Sequence, residues 1–248
     1  MNLKGKVVIV SGAGSGIGAK TAEFFSRANA NTVLVDMNEA KMKNVSEKCK
    51  AFGAELIVIK ADVSNNEDAK RIIDTTLKKF GKIDVLVNSA AVACYGSILD
   101  ETFMKSYDGM VNINLRAILQ LTCLAAPYLI KTKGNIVNIS SVASMQTSRN
   151  IGAYATLKAA LNHFTRTAAA ELGCSGVRVN AISPGPTYTD IIKNSGAPFT
   201  FEDLKSATLL NRISEPDEIA DLILYLASDK SKGITGSNFV IDNGNLLM

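Results

Sequence analysis

Apolar residues along this chain come in two alternating textures. Short runs dominated by β-branched and aliphatic residues predict strands at Lys6 to Val10, Asn31 to Val35, Leu56 to Lys60, Val85 to Val87, Asn135 to Ile139, Val177 to Ile182 and Asn238 to Ile241. Between them lie longer stretches with helical spacing. These cover about Ile17 to Ala28, Glu39 to Phe52, Glu67 to Phe80, Met104 or Tyr107 to Ile130, Ala153 to Leu172, and Pro216 to about Ser228. Continuous apolar strands, as opposed to alternating ones, are those covered on both faces. The expected class is therefore α/β: a doubly wound parallel sheet of about seven strands with helices on both faces. No linker, repeat or low-complexity tract breaks the pattern, so residues 1-248 read as a single domain. The stretch from Pro184 to Ser214 holds P-G-P and S-G-A-P and lacks a period, which predicts a substrate loop over about 186-214.

Composition narrows the function. The 248 residues are 47% apolar with a net charge of +4, and the positive charge forms no basic block, which gives no footprint for nucleic acid. The first apolar run is too short for a signal-peptide core or a membrane span, so no membrane partner is expected. Cys49, Cys94, Cys123 and Cys174 are scattered without a C-x-x-C, and the chain has one histidine. That pattern predicts no metal site, no disulfide framework and a reducing, cytoplasmic location. The histidine, His163, lies nine residues after Tyr154, roughly 180° round an ideal helix, and is expected to be a packed or interface residue without a catalytic role.

The candidate chemistry sits at the predicted strand ends. The turn S-G-A-G-S-G-I-G places glycines at Gly12, Gly14, Gly16 and Gly18 between the first strand and first helix, where backbone N–H groups can face a pyrophosphate. A tight turn without a ligand would read the same way. Asp36, 18 residues beyond Gly18, can accept hydrogen bonds from ribose hydroxyls and would repel a 2'-phosphate; it can equally cap the helix near Glu39. Gly14 to Thr21 nearly matches a nucleotide phosphate loop, but Ala19 replaces its last glycine, and Lys20 and Thr21 fit as ordinary residues of the first helix. We read it as a chance match. In the stretch from Ser141 to Lys158, Tyr154 and Lys158 fall one helical turn apart, so the ammonium is expected to lower a phenol pKa that is ordinarily about 10. Ser141, held nearby, can then bind the oxygen of a reacting alcohol or ketone. A Y-x-x-x-K pair alone is weak, because an ordinary tyrosine beside a solvated lysine gives the same letters. Asn112 and Asn114 interrupt the longest helix with a mediocre helix former. Gly12, Asp36, Asp62, Asn88, Ser141 and Pro184 all lie at or just past carboxyl ends of predicted strands, where ligands of such sheets bind.

Taken in order, G-A-G-S-G-I-G at Gly12 to Gly18, Asp62-Val63, N-S-A at Asn88 to Ala90, Asn114, Ser141 thirteen residues before Tyr154, Lys158, and Pro184-Gly185 resemble the short-chain dehydrogenases/reductases over essentially the whole chain. The resemblance implies a Rossmann-like fold with Tyr154 as general acid/base, Lys158 lowering its pKa and binding the nicotinamide ribose, and Ser141 holding the substrate oxygen. It implies that Asn114 anchors a proton-relaying water. Gly12, Ser15, Ile17 and Gly18 would hold the pyrophosphate; Asp62 and Val63 would flank the adenine; Asn88 to Ala90 would lie under the adenosine. Pro184, Gly185, Thr187 and Thr189 would clasp the carboxamide, and helices 107-130 and 153-172 would pair copies into a homotetramer. Asp36 opposes a 2'-phosphate, Met37 offers no guanidinium, and neither Ala13 nor Ser15 is basic, so NAD(H) is the expected cofactor.

The function expected is hydride transfer between nicotinamide and a moderately apolar secondary alcohol or ketone. Its pocket would be built from Val92 to Cys94, Ser144 to Thr147, Ile151 and the Tyr188 loop. A 3-oxoacyl thioester reductase is the alternative enzyme, and a catalytically silent nucleotide-binding or scaffold protein the alternative of another class. The chain departs from the family pattern at Ser11, Ser89 and Ala91, at Ser175 where carrier-protein reductases commonly have arginine, and at Asn243, which makes D-N-G where many relatives have D-G-G.

Overall fold

The computed structural model of the protein describes residues 2–248. Its strands are β1 (Val7–Ser11), β2 (Asn31–Asp36), β3 (Leu56–Lys60), β4 (Val85–Asn88), β5 (Asn135–Ile139), β6 (Arg178–Pro184) and β7 (Asn238–Ile241). They form one seven-stranded sheet in the order β3-β2-β1-β4-β5-β6-β7, with every neighbouring pair parallel. The chain winds outward from β1 to β3, then returns to lay β4 on the other side of β1. That reversal opens a crevice above the carboxyl ends of β1 and β4.

All five residues of β1 are buried because both sheet faces are covered. Val8 and Val10 pack with Phe25 of α1 (Gly16–Arg27), Met42 of α2 (Glu39–Lys50) and Ile223. Val7 and Ile9 point the other way, onto Ile72 of α3 (Asn66–Phe80) and Leu121 and Leu129. Each fully buried aliphatic side chain contributes about 1.5–3 kcal/mol, which is why β1 is unbroken by polar residues before Ser11. Every predicted strand is present. β1, β2, β4 and β6 extend past the last apolar residue of the reading, to Ser11, Asp36, Asn88 and Pro184, and so the ladder itself fixes the polar strand ends.

The long central helix is longer than its pattern and not uniform. It runs as α4 (Phe103–Val111), a π-helical turn at Asn112–Arg116, and α5 (Ala117–Thr132). By length and composition Phe103–Thr132 is apolar enough to cross a membrane, yet Leu121, Ala125 and Leu129 are spent on the sheet. After α6 (Gly152–Gly173) and β6, the segment expected to be irregular contains two short helices, α7 (Asp190–Asn194) and α8 (Phe201–Ser206). Helices of five and six residues are too short for periodicity to reveal. α9 (Pro216–Ala227) returns the chain to the sheet.

Candidate active site

The crevice begins at the β1–α1 turn. Gly12 has φ of +69°, and a Cβ there would lie 2.8 Å from the backbone of Ala90; a Cβ on Gly18 would meet the Gly12 carbonyl oxygen at 2.2 Å. Only glycine lets this turn fold against the end of β4. α1 then starts with no side-chain cap and no acidic residue in its first turn, and Gly12, Ser15, Ile17 and Gly18 line the crevice. Uncapped N–H groups at the positive end of a twelve-residue helix fit an anionic diphosphate.

Asp36 closes the other side of this turn. Its carboxylate accepts hydrogen bonds from Gly14 N at 3.0 Å and Asn38 N at 2.8 Å. The cap of α2 is Asn38, whose side chain accepts from Lys41 N, so the capping alternative for Asp36 falls away. Met37, Asp62 and Val63 also line the wall, as do Ala90, Pro184, Gly185, Thr187 and Thr189.

Tyr154 and Lys158 lie one turn apart on α6, and both face the crevice. Lys158 is 1% exposed; its Nζ donates to the Ile139 carbonyl at 2.8 Å, at the end of β5, and lies 5.6 Å from the centre of the Tyr154 ring. Burial pulls the Lys158 ammonium down to about 8. Burial also pushes the Tyr154 phenol up to about 12, with a hydrogen bond to Ser141 acting in the opposite direction. Burial thus moves the phenol in the direction opposite to the lowering expected from its lysine, whose ammonium is directed at the Ile139 carbonyl. The ring keeps partial contact with the crevice. Ser141 accepts from Ala143 N at 3.1 Å and caps the 3-10 turn Val142–Ser144, which brings its hydroxyl beside that of Tyr154.

Two expected site residues have side chains elsewhere. Asn88 is 1% exposed and donates to Asn138 at 2.8 Å; Asn138 in turn donates to Thr165 at 2.9 Å, tying β4 to β5 and α6 behind the crevice. Asn114 is fully buried in the π-helical turn, where its amide donates to the Val92 carbonyl at 2.7 Å and accepts from Val92 N at 2.9 Å. Both ends of that side chain are engaged, so the side chain holds the crevice wall. His163 is exposed on α6, not packed, and lies outside the crevice wall. Among the described residues no cluster suited to a metal ion occurs.

The crevice encloses about 620 Å³. Val92, Ala93, Cys94 and Ile151 line its substrate half as expected, but of Ser144 to Thr147 only Gln146 does. Tyr188 packs on Phe201 at 4.9 Å between ring centres and leaves the wall to Ile192, Phe199 and Leu204. Tyr95, which the reading also missed, meets Phe199 edge-on at 5.7 Å and its hydroxyl accepts from Asn150 at 3.0 Å. One signal for this lid was present: Thr200 and Asp203 form a reciprocal capping box at the start of α8.

A family model described as enoyl-(acyl carrier protein) reductase matches residues 12–245. A 3-oxoacyl-[acyl-carrier-protein] reductase of Thermotoga maritima is 32% identical over 245 residues, 98% of this chain and 99% of its own. A solved short-chain dehydrogenase/reductase of unknown function from Caenorhabditis elegans, with cofactor, is 32% identical with a TM-score of 0.93, covering 99% of this chain and 96% of that one. A 7α-hydroxysteroid dehydrogenase complexed with NADH and 7-oxo glycochenodeoxycholic acid is 30% identical with a TM-score of 0.92, covering 98% and 95%.

Proposed function

This chain belongs to the short-chain dehydrogenase/reductase family, NAD(P)-dependent oxidoreductases of alcohols and ketones, and from that premise we propose that it uses NAD(H) on a neutral, moderately apolar secondary alcohol or its ketone. One observation carries the substrate class. Of the charged residues on the crevice wall, Asp36, Lys41, Asp62 and Asp190 lie on the cofactor side, and Lys158 alone is beside Tyr154. The rest of the substrate half is largely apolar, so an ionised group on the substrate would be desolvated without a partner. The steroid complex of the 7α-hydroxysteroid dehydrogenase supports a bulky apolar body.

NAD(H) follows from Asp36. Its carboxylate is fixed by two backbone N–H groups beside Met37, and a 2'-phosphate would bring like charge against it. The nearby cation, Lys41, is already paired with Asp190 at 3.0 Å. When bound, the dinucleotide supplies or accepts the hydride at the carbinol carbon. Tyr154 gives its proton to the carbonyl oxygen in reduction and takes it back in oxidation, Ser141 holds that oxygen, and Lys158 supplies positive charge behind the phenol.

The protein is proposed to act in the cytoplasm as a homotetramer paired through α4–α5 and α6. Its four cysteines are free, and only 39% of the most apolar window of Phe103–Thr132 is buried within one copy. A monomeric mass by light scattering would reject that assembly. The Thermotoga relative supports 3-oxoacyl thioesters as the second substrate reading, although Ser175 lacks a charge with which to meet a carrier protein. NADH oxidation measured on sterol ketones, diketones and acyl thioesters separates the two. Tyr154→Phe should lower kcat at least about 100-fold on the active substrate. Unchanged turnover in that variant would sink the mechanism, and silence on the whole panel with NADH bound would favour a nucleotide-binding scaffold.

A further inference from the structure

We infer that Asn243 is a positioning residue that clamps the base of the lid over the substrate half of the crevice. The inference rests on the reading of that half as a substrate site. Asn243 follows β7 with φ of 55°, a left-handed conformation that asparagine tolerates better than most residues. Its side-chain oxygen accepts from Arg212 Nη1 at 2.8 Å, and its amide donates to Ser214 Oγ at 3.0 Å. Its main-chain carbonyl accepts from Leu210 N at 3.1 Å.

The neighbouring residues extend the same contact. A Cβ on Gly244 would lie 2.8 Å from that of Leu209, so the turn sits directly beneath the lid, and Asn245 donates to the Ala207 carbonyl at 2.6 Å. The turn is stiff, because Asp242 accepts from both Gly244 N and Leu246 N at 2.9 Å. Arg212 is held in turn by Glu218 of α9, to which both its Nη1 and Nη2 donate.

Ser214 carries the clamp to the opposite end of the lid. It forms a parallel bridge with Thr187: Ser214 N donates to the Pro186 carbonyl at 2.9 Å, and Tyr188 N donates to the Ser214 carbonyl at 3.0 Å. Thr187 lines the crevice. Both ends of the lid therefore converge on one point, and Asn243 grips that point from the sheet. Ile192, Phe199 and Leu204 project into the crevice from the segment so held. Loss of the grip lets the 205–214 arm of the lid open more often, while the arm beside the β1–α1 turn keeps its own contacts, Thr189 against Gly16 and Asp190 to Lys41.

The test compares Asn243→Gly with Asn243→Asp. Glycine adopts the same φ freely and removes only the side chain. Aspartate keeps the acceptor for Arg212 and can accept from the Ser214 hydroxyl where asparagine donated to it. Hydrogen exchange across residues 205–214, read by mass spectrometry, should quicken about tenfold in Asn243→Gly, the equivalent of about one net hydrogen bond, and return to within about twofold in Asn243→Asp. KM for the neutral ketone that the wild-type protein turns over fastest should rise about tenfold in the glycine variant, with NADH affinity by fluorescence titration within about twofold. Unchanged exchange in Asn243→Gly overturns the clamp. Faster exchange with an unchanged KM, or with an equal loss of NADH affinity, overturns its role in positioning substrate. The exchange measurement needs no turnover, so a protein that reduces no ketone yet shows the exchange response refutes the proposed activity and leaves the clamp standing.

Discussion

Replacing Lys158 by methionine should change how stability depends on pH in a way no packing effect can imitate. In the folded protein burial holds this ammonium at about 8, against 10.5 for an ordinary lysine. The folded state therefore binds the proton less tightly than the unfolded chain. Below pH 8 both states are charged, and the wild type bears the full cost of the buried charge, roughly 3 kcal/mol near neutral pH. Between 8 and 10.5 the folded lysine has released a proton that the unfolded chain still holds, so wild-type stability climbs with pH.

Methionine has similar length and no charge, and removes this dependence. It also leaves the Ile139 carbonyl without its 2.8 Å donor, which costs about 1–3 kcal/mol and offsets much of the gain. The absolute change near neutral pH is a small difference of two terms, whereas the pH slope belongs to the charge alone. Urea unfolding of cofactor-free protein at fixed concentration, followed by circular dichroism because the chain lacks tryptophan, gives that slope. Relative to wild type, Lys158→Met should lose about 2 kcal/mol of its advantage between about pH 7 and about pH 9.5. Tyr154, raised to about 12, destabilises the folded state only as pH climbs above 10, beyond this window, and does so in both proteins. Parallel stability curves for the two proteins would refute the account of a desolvated ammonium.

Three further outcomes follow from the geometry. Gly18→Ala places a methyl 2.2 Å from the Gly12 carbonyl, so NADH affinity by fluorescence titration should fall at least about tenfold, and normal affinity would count against the diphosphate turn. Asp36→Ser removes the charge facing a 2'-phosphate and should raise kcat/KM with NADPH by about 10–100-fold while lowering it with NADH; an unchanged ratio would remove Asp36 from cofactor choice. Asn114→Ala leaves both polar groups of Val92 without partners and should cost about 2 kcal/mol in urea unfolding, with a higher KM and unaltered NADH binding.

The strands were legible because burial on both faces concentrates apolar residues in them. β1 carries no polar residue before Ser11, and the buried Asn138 and Asn180 of β5 and β6 are tolerated because they are hydrogen-bonded. Gly12 and Gly18 were legible because a missing Cβ is written in the letters themselves. Asn88 and Asn114 stand out in the sequence, but the direction of each side chain does not, since the π-helical turn and the Asn138 partner arise only from tertiary packing. The spacing of Tyr154 and Lys158 gave their proximity and not their desolvation, which depends on residues far away in the chain. α7 and α8 escaped because so few residues cannot display a helical period. Asn243 looked like an unexplained departure; its meaning lies in Arg212 and Ser214, contacts that no local pattern announces.

The bridge between Thr187 and Ser214 also bears on how such a protein can diversify. Because the ends of the lid are joined, the span that the intervening chain must close is set by the sheet and is independent of the lid's own length. Closing a loop twice as long costs only about 0.6 kcal/mol more. Changes of length within the span thus cost the scaffold little, provided Thr189 still meets the glycine turn and the stretch from Ala207 to Arg212 still meets the turn after β7. The molecule is divided into a conservative chemical half and an exchangeable half, and new substrates can be acquired by grafting without refounding the fold.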